Sequence, residues 1–290
     1  MVRPVAADGQ TAFAMADWLG DEPDADTDAE GAADIAAALR REYPQADLAR
    51  LPVKWSVSAL QRLEPLLVVD EQTEAAAAVA EAAEEFAAEI KTGRQPPEWY
   101  AKYGTLVHKL LEQADLAALR GGADAVEHLV DILHRVSAGF PADVAAAVRP
   151  QDVARFFASA LGRRLLALDA SVPVLREQRF IAGLLLDELA GLDADIAGRL
   201  AAASGLDIRS HGGERLFLQG VIDLAFREEA GWVLVDYKSG GNTGKSDEDI
   251  RRQYALQLAV YARVLGQATG EAVQAGYIYF TANDRVVRIL

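Results

Sequence analysis

The sequence predicts an α/β fold in which a mixed β-sheet is flanked by helices, and three observations support this prediction. Two apolar runs, 216–226 and 231–239, are separated by a short polar turn and predict two antiparallel strands. An amphipathic helix at 249–266 follows, before a final hairpin with strands at 275–282 and 285–290. Helical periodicity dominates the preceding part of the chain, so we expect helices to cover the sheet.

The N-terminal part predicts a helical extension ahead of the main domain. Residues 1–40 are acidic and rich in Ala, Gly and Asp, which predicts a flexible segment with a helical pattern at 32–42. Residues 41–100 are interpreted as a helical lead-in. The main domain is predicted to comprise residues 101–290.

Two helices are predicted within the lead-in. In RLPVKWSVSALQRLEPL (50–66), Ser56 or Ser58 is the expected N-cap of a short helix that ends near Pro65. The Ala- and Glu-rich stretch 71–93 predicts a long helix, because both residue types favour helices. We interpret it as a structural or bridging helix. Its predicted apolar face consists of Val79, Ala83, Phe86 and Ile90.

The main domain is predicted to begin with helices and then change to strands. The pattern is helical nearly throughout 104–168. A strand is predicted at 175–182, followed by a helical insert at 183–203. The predicted order is therefore helix, strand, strand, strand, helix, strand, strand.

Composition limits the class of protein. The 290 residues are half apolar, which suffices for a large core, and the absence of cysteine excludes disulfides and iron–sulfur clusters held by thiolates. No apolar run approaches the ~20 residues of a membrane span, and no signal-peptide pattern is present, so we expect a cytoplasmic protein without membrane contact. The net charge of −15 argues against general affinity for nucleic acid but is compatible with a local basic groove.

The two central strands carry charged residues at one end. If their hairpin is symmetric about Glu229 and Ala230, Asp223 and Asp236 lie directly opposite each other with Cβ atoms roughly 5 Å apart. Two carboxylates this close repel unless a cation lies between them. Lys238, two residues beyond Asp236, points to the same side of the sheet.

A carboxylate pair beside an ammonium predicts a site for Mg²⁺ or Mn²⁺, since these ions prefer oxygen ligands. A water on such a metal, next to Lys238, is a candidate nucleophile for phosphodiester hydrolysis. The alternative is an ordinary Asp–Lys pair at a strand end. The D-x-K triplet alone favours that alternative, and Asp223 on the facing strand weakens it.

Five motifs occur in a defined order: GTLVH (104–108), REQRF (176–180), GVIDL (220–224), VDYKSG (235–240) and QLAVYARVL (257–265). In this order and approximate spacing they resemble RecB-type nucleases of the PD-(D/E)xK superfamily, and more narrowly the C-terminal nuclease domain of AddA, a component of AddAB helicase–nucleases. The resemblance covers roughly residues 40 to 290. It implies a restriction-endonuclease-like fold.

The resemblance also implies roles for individual residues. Asp223 and Asp236 would be metal ligands, together with the main-chain carbonyl of Tyr237. Lys238 would be the catalytic lysine.

The three remaining motifs would complete the site. His108 would approach the metal from a helix, and Glu177 would complete the metal shell or act through water. Gln257 and Tyr261, one helical turn apart, would contact substrate. Without the resemblance, Tyr261 would be interpreted as a core residue.

The implied function is that of a Mg²⁺-dependent DNA exonuclease, with Mn²⁺ as a substitute, which processes DNA ends in recombinational double-strand-break repair. The implied partners are DNA and a helicase or AddB-like protein. The chain has no G-x-x-x-x-G-K-[ST] motif and hence no predicted ATP site. The stretch SGGNTGKSD (239–247) ends in a similar way but has no glycine at the spacing required of the first one. In this family a threonine usually follows D-Y-K where this chain has Ser239.

Two alternatives remain open. The chain could be a non-catalytic docking module for a helicase, which its acidic charge and missing motor favour. It could also be a stand-alone restriction or defence nuclease. The set of Asp223, Asp236 and Lys238 speaks for an enzyme. The resemblance of the C-terminal tail implies that Leu290 is the natural end of a chain shortened at its N-terminus.

Overall fold

The computed structural model describes residues 54–62, 78–83, 85–87, 90, 95–193, 195–204, 208–240 and 244–290. The flexible segment predicted at 1–40 and the helical pattern at 32–42 lie outside these residues.

Within this part of the chain, six strands form one mixed sheet. They are β1 (Lys54–Ser56), β2 (Val174–Leu185), β3 (Arg215–Glu228), β4 (Gly231–Lys238), β5 (Val273–Phe280) and β6 (Arg285–Arg288). The long strand β3 pairs antiparallel with β2 on one side, and on the other with β1 (parallel) and β4 (antiparallel). Strand β5 runs parallel to β4, and β6 closes the sheet antiparallel to β5. The predicted mixed sheet is confirmed.

Helices flank this sheet, as predicted. Those that the described residues form are α1 (Val57–Arg62), α2 (Pro97–Gln113), α3 (Leu116–Arg120), α4 (Ala125–Val136), α5 (Ala142–Ala147), α6 (Pro150–Ala158), α7 (Ala160–Ala167), α8 (Leu186–Leu192), α9 (Ile196–Ser204) and α10 (Asp247–Thr269). Short 3-10 turns lie at Ser137–Gly139 and Ile208–His211. Helix α10 begins at the N-cap Ser246 and ends at Gly270, which adopts the left-handed conformation that glycine tolerates.

The register predicted for the central hairpin is confirmed, since Leu224 pairs with Val235. The turn is shorter than predicted: Arg227 and Glu228 extend β3 instead of forming the loop, because they pair with the first residues of β4. Gly231 follows the turn with a φ of 134°, a backbone conformation that residues with a Cβ rarely adopt.

Strand β1 is absent from the sequence prediction. The stretch 50–66 predicts only a short helix, but a three-residue strand precedes that helix and pairs with β3. Such a strand is too short to show alternation in the sequence. Ser56 is the N-cap of the helix, because its hydroxyl accepts a hydrogen bond from the Ala59 N–H at 3.0 Å.

Strand β2 is longer than predicted. The sequence predicts an end at Ala182 and a helical insert from 183, but the strand continues to Leu185 and helix α8 begins at Leu186. The extension follows from continuous pairing with β3, which runs to the Leu185–Arg215 pair. Tertiary pairing therefore outweighs the local pattern here.

One face of the sheet carries the main core. Side chains of α2, α4, α6 and α7 pack there against β3, β4 and β5; fully buried members include Leu106, Leu110, Phe156, Leu165, Phe226 and Tyr279. Helix α10 packs against β4, β5 and β6. In the residues described, we find no helix with both the length and the apolar character needed to cross a bilayer.

Candidate active site

Three carboxylates lie side by side on β2, β3 and β4. Glu177 falls between the β2 residues that pair with Leu224 and Ile222, and therefore lies opposite Asp223. Asp236 occupies the next position of the β3–β4 register, so it also faces Asp223. The Tyr237 N–H donates a hydrogen bond of 2.7 Å to Asp223 Oδ2 and ties that carboxylate to β4. Directly opposite residues share a face, so the sheet presents a row of three acids.

Glu177 has an unusual main-chain conformation. Its φ of 47° lies in the left-handed region and costs about 1–3 kcal/mol in a residue with a Cβ. The residue interrupts the ladder of β2, whose neighbouring positions remain paired with β3. The sequence carries no signal for this conformation. The strain thus coincides with one of the three members of the acid row.

His108 of helix α2 contacts two of the three acids in this row, Glu177 and Asp223. Its Nδ1 lies 3.2 Å from Glu177 Oε1 and 3.6 Å from Asp223 Oδ1, while its Nε2 lies 3.1 Å from the main-chain oxygen of Tyr237. Burial lowers the pKa of His108, but the charge of Asp223 and the contacts with Glu177 outweigh burial and raise the pKa to about 10. The acids thus favour a positive charge at this position, which a bound cation would also satisfy.

The residues present fit a divalent metal ion. Ligand atoms of His108, Glu177 and Asp223, here called the His/Glu/Asp group, all lie within 4.8 Å of one another. Burial raises the pKa of Asp223 well above its usual range; His108 opposes this effect and Asp236 reinforces it. A buried pair of carboxylates of this kind is stabilised as anions by a cation between them.

Asp236 and Lys238 form the other half of the site. Lys238 Nζ lies 3.0 Å from Asp236 Oδ2, and Asp236 Oδ1 accepts a hydrogen bond of 2.9 Å from Gln257 Nε2. The shared direction of the two side chains matches the predicted alternation along β4. Among the residues described, Asp236 lies outside the His/Glu/Asp group, so its role as a metal ligand stays a prediction.

Lys238 is a buried cation surrounded by acids. Only 2 % of the residue is exposed, and its ammonium contacts Asp236 and Glu81, with Glu85 Oε1 at 3.8 Å. The ring of Tyr254 lies 5.1 Å from Nζ. Burial alone would lower the pKa of Lys238, but the three carboxylates raise it well above its usual value. The neighbouring carboxylates therefore favour the charged form of this side chain.

Glu81 and Glu85 are the site residues that sequence reasoning missed. They belong to the stretch 71–93, which is interpreted from sequence only as a structural or bridging helix. The two glutamates lie four residues apart, the spacing that puts side chains on one helical face. Burial raises the pKa of Glu85 to about 7, while Lys238 opposes this effect. No residue pattern distinguishes these two glutamates from others in the stretch.

The predicted apolar face of this stretch is confirmed at Phe86 and Ile90, which pack in one cluster with Ala82 and Tyr100. Phe86 is buried and stacks on Tyr100 with ring centroids 4.4 Å apart. Val79, Ala83 and Ile90 are only half-buried. Ala82 and Glu85 are also buried, because this segment passes over Lys238 as well as over α2.

Gln257 and Tyr261 extend the site onto helix α10. Gln257 Nε2 donates to Tyr261 Oη at 3.1 Å in addition to its bond with Asp236. Tyr261 packs edge-on against Phe180 at 5.6 Å, and Gly220 leaves room for both rings, since a Cβ there would lie 2.8 Å from Phe180. Both residues are buried and line the cleft. Their contact with substrate stays a prediction.

Two adjoining cavities open over the acid row, with volumes of ≈ 690 Å³ and ≈ 610 Å³. Arg179 lines both, Lys54 lines the larger and Lys109 lines the smaller. These cations provide positive charge beside the acids in a chain whose net charge is −15. Glu81 also lines both cavities. The cleft therefore combines a candidate metal site, a fixed ammonium and positively charged walls.

A mixed sheet that presents carboxylates and a buried lysine to such a cleft has the groups that metal-dependent nucleases use. The sequence pattern of the PD-(D/E)XK nuclease superfamily matches residues 87–288, and the chain belongs to this superfamily. Nucleases of this superfamily use divalent metal ions, and the His/Glu/Asp group could hold one. Glu81 and Glu85 precede the matched residues.

The chain is also similar to ATP-dependent helicase/nuclease subunits of several organisms. It is 28% identical to the protein of Acetivibrio thermocellus over 271 aligned residues. This alignment covers 93% of this chain and 20% of that protein. It is 27% identical over 256 aligned residues to the proteins of Syntrophomonas wolfei and Clostridium botulinum. Each alignment covers 88% of this chain, and they cover 19% and 18% of the two relatives, respectively. The chain thus spans about a fifth of the length of these relatives.

Proposed function

We propose that this chain is a Mg²⁺-dependent deoxyribonuclease of the AddA type that degrades DNA from an end. The observation that carries the proposal is the convergence, in one cleft, of the His/Glu/Asp group with Asp236 and Lys238. These are the ligand types and the cation that phosphodiester hydrolysis requires.

The His/Glu/Asp group would hold the metal, with the main-chain oxygen of Tyr237 next to it. The carboxylate oxygens suit Mg²⁺, and the imidazole makes Mn²⁺ a good substitute. When bound, the ion supplies a water of lowered pKa and positive charge for a phosphate oxygen. His108 is held for this role by its contacts with Glu177 and with the Tyr237 carbonyl.

Lys238 would stabilise the extra negative charge that develops on the phosphate in the transition state. It can do so because three carboxylates keep it protonated and low exposure keeps it poorly screened. Asp236 orients the ammonium from one side, and Gln257 fixes the Asp236 carboxylate through its amide. Gln257 and Tyr261 also line the wall along which we propose that substrate binds.

The proposed substrate is DNA, and the proposed partner is a helicase or an AddB-like protein. The names of the relatives, helicase/nuclease subunits, support this assignment, as do the cations along the cleft. The proposed setting is DNA end processing in recombinational double-strand-break repair, in the cytoplasm. Because the chain is strongly acidic, we expect weak binding to DNA unless a partner holds the substrate in place.

The test is cleavage of end-labelled linear DNA, single- and double-stranded, with Mg²⁺, Mn²⁺ or EDTA. We expect metal-dependent cleavage that falls at least about 100-fold in Asp223→Asn and in Lys238→Ala, because each change removes a charge needed at the phosphate or the metal. Glu229→Gln, in the exposed turn of the hairpin, is the matched control and should cleave like wild type.

The acidic charge favours a second candidate, a nuclease-like docking module without catalysis. Folded wild-type protein that cleaves nothing with any metal, yet binds a helicase, would establish that candidate. Cleavage of closed circular duplex DNA would instead favour a stand-alone restriction or defence nuclease.

A further inference from the structure

One carboxylate touches three consecutive residues at the end of β4. Glu85 Oε2 accepts a hydrogen bond from the Gly240 N–H at 3.1 Å and another from the Ser239 hydroxyl at 3.3 Å. Its other oxygen, Oε1, lies 3.8 Å from Lys238 Nζ. Glu85 is buried, so these contacts form away from bulk water. Hydrogen bonds to a buried carboxylate are stronger than the same bonds at the surface.

The main chain around these contacts is packed closely. A Cβ on Gly240 would lie 2.7 Å from the carbonyl oxygen of Glu85, so the helical segment rests directly on this turn. Helix α2 is equally close, since a Cβ on its Gly104 would lie 2.9 Å from Ser239 Oγ. The turn after Lys238 is therefore packed closely against both α2 and the segment that carries Glu85.

The segment that supplies Glu85 is itself anchored next to α2. Phe86 stacks on Tyr100 and meets Tyr103 edge-on with ring centroids 6.0 Å apart. Glu81, on the same segment, is more exposed and contacts the same ammonium from the cleft side. The two glutamates thus differ in exposure and not in the cavity they line: 33 % of the Glu81 side chain is exposed and only 8 % of the Glu85 side chain, while both line the smaller cavity.

We propose that Glu85 is a positioning residue that fixes the turn at Ser239 and Gly240 and thereby aims the Lys238 ammonium into the cleft. It completes the site from outside the residues that match the superfamily. The consequence for rate rests on the proposed function, in which Lys238 stabilises the transition state. The consequence for the structure of the turn does not depend on it.

Loss of this carboxylate should misplace Lys238 without removing its charge. A long side chain that has lost one of its buried contacts adopts other rotamers, and a misplacement near 1 Å costs about 100-fold in rate. Glu85→Ala removes both hydrogen bonds to the turn. Glu85→Gln keeps an oxygen that can accept from the Gly240 N–H, so it should rescue most of the positioning.

The first measurement is single-turnover cleavage of labelled DNA at saturating metal and protein, with DNA affinity measured separately in EDTA. We expect Glu85→Ala to lower the cleavage rate about 10- to 100-fold while the affinity changes less than about two-fold, because the effect acts through Lys238 and not through binding. Glu85→Gln should recover to within about three-fold of wild type. Glu229→Gln is the charge-matched control.

The second measurement is hydrogen exchange of the Gly240 amide, which needs neither metal nor DNA. We expect at least about ten-fold faster exchange in Glu85→Ala and near wild-type exchange in Glu85→Gln, since only the latter keeps an acceptor. If Glu85→Ala does not fold, Ser239→Ala tests the same contact and should also speed exchange in this turn.

Each result bears on the proposal. Unchanged exchange at Gly240 in the alanine variants overturns it, whether or not the wild type cleaves DNA. Unchanged cleavage in Glu85→Ala beside an active wild type also overturns it, as does a glutamine variant no better than alanine. A wild type that does not cleave would remove the proposed function and leave the exchange measurement to decide the role of Glu85.

Discussion

At the scale of single residues, Glu177 combines a strained main-chain conformation with a place in the candidate active site. Its left-handed main chain is unfavourable for any residue with a Cβ, yet the conformation points its carboxylate at His108 and places it opposite Asp223. The sequence predicted the acid through the REQRF motif but not its geometry. Strain of this kind persists only where the surrounding structure stabilises it.

Replacement of Glu177 by glycine should therefore be less damaging to stability than replacement by alanine. We expect Glu177→Gly to be more stable than Glu177→Ala by about 1 kcal/mol, because glycine adopts positive φ without a Cβ clash. Urea unfolding of the metal-free protein measures the difference. At the neighbouring Gln178, whose φ is not positive, the order should reverse, because glycine weakens a strand. Equal stability of the two Glu177 variants would contradict the strain.

At the scale of elements, ion pairs join helices to the sheet at positions away from the site. Arg164 of α7 donates two hydrogen bonds to Glu228 at the end of β3, at 2.9 and 2.8 Å. Gln274 of β5 donates a third at 2.8 Å. The hydrogen bonds from Arg164 are the main reason that the pKa of Glu228 lies below its usual value. One carboxylate thus connects three elements.

This pair predicts a pH-dependent contribution to stability. Because the pKa of Glu228 is lowered by folding, its contribution is present above the unfolded pKa near 4.3 and is lost as the pH falls through the folded value. We expect Glu228→Gln to reduce the free energy of unfolding by about 0.5–1 kcal/mol at pH 7, since the pair is partly exposed. The difference in free energy of unfolding between wild type and Glu228→Gln should decrease as the pH falls from about 5 to about 3. Urea unfolding across this range is the measurement, and a gap independent of pH would contradict the assignment.

At the scale of the whole molecule, charge is distributed unevenly. The chain carries −15 overall, while Lys54, Arg179 and Lys109 line the cavities over the acid row. We expect a local groove of this kind to attract the proposed DNA substrate only weakly, because the net charge of the molecule is negative.

DNA binding by this chain should therefore depend on few ionic contacts. We expect the affinity for single-stranded DNA to fall with salt with a slope of about −1 to −3 on logarithmic axes, and Arg179→Gln to reduce that slope by about 0.7. Fluorescence anisotropy over a salt series in EDTA measures it. Arg252→Gln, an exposed position on α10, is the matched control. An unchanged slope in Arg179→Gln would place the phosphate contacts elsewhere.

Residue patterns alone predict the hairpin of β3 and β4, the shared face of Asp236 and Lys238 and, apart from β1, the order of helices and strands. These features depend on alternation and turn length, which act between residues close in the chain. The resemblance added His108 and Glu177, which the structure then places beside Asp223.

The remaining features follow from contacts between elements that are distant in the chain. The short strand β1, the left-handed main chain of Glu177 and the contacts of Glu81 and Glu85 have no local signal. Lys238 and Glu81 are 157 positions apart in the chain, and they meet because packing of Phe86 against α2 carries the Ala- and Glu-rich segment over the cleft. Contacts at such separation depend on how whole elements pack, which single-residue patterns do not specify.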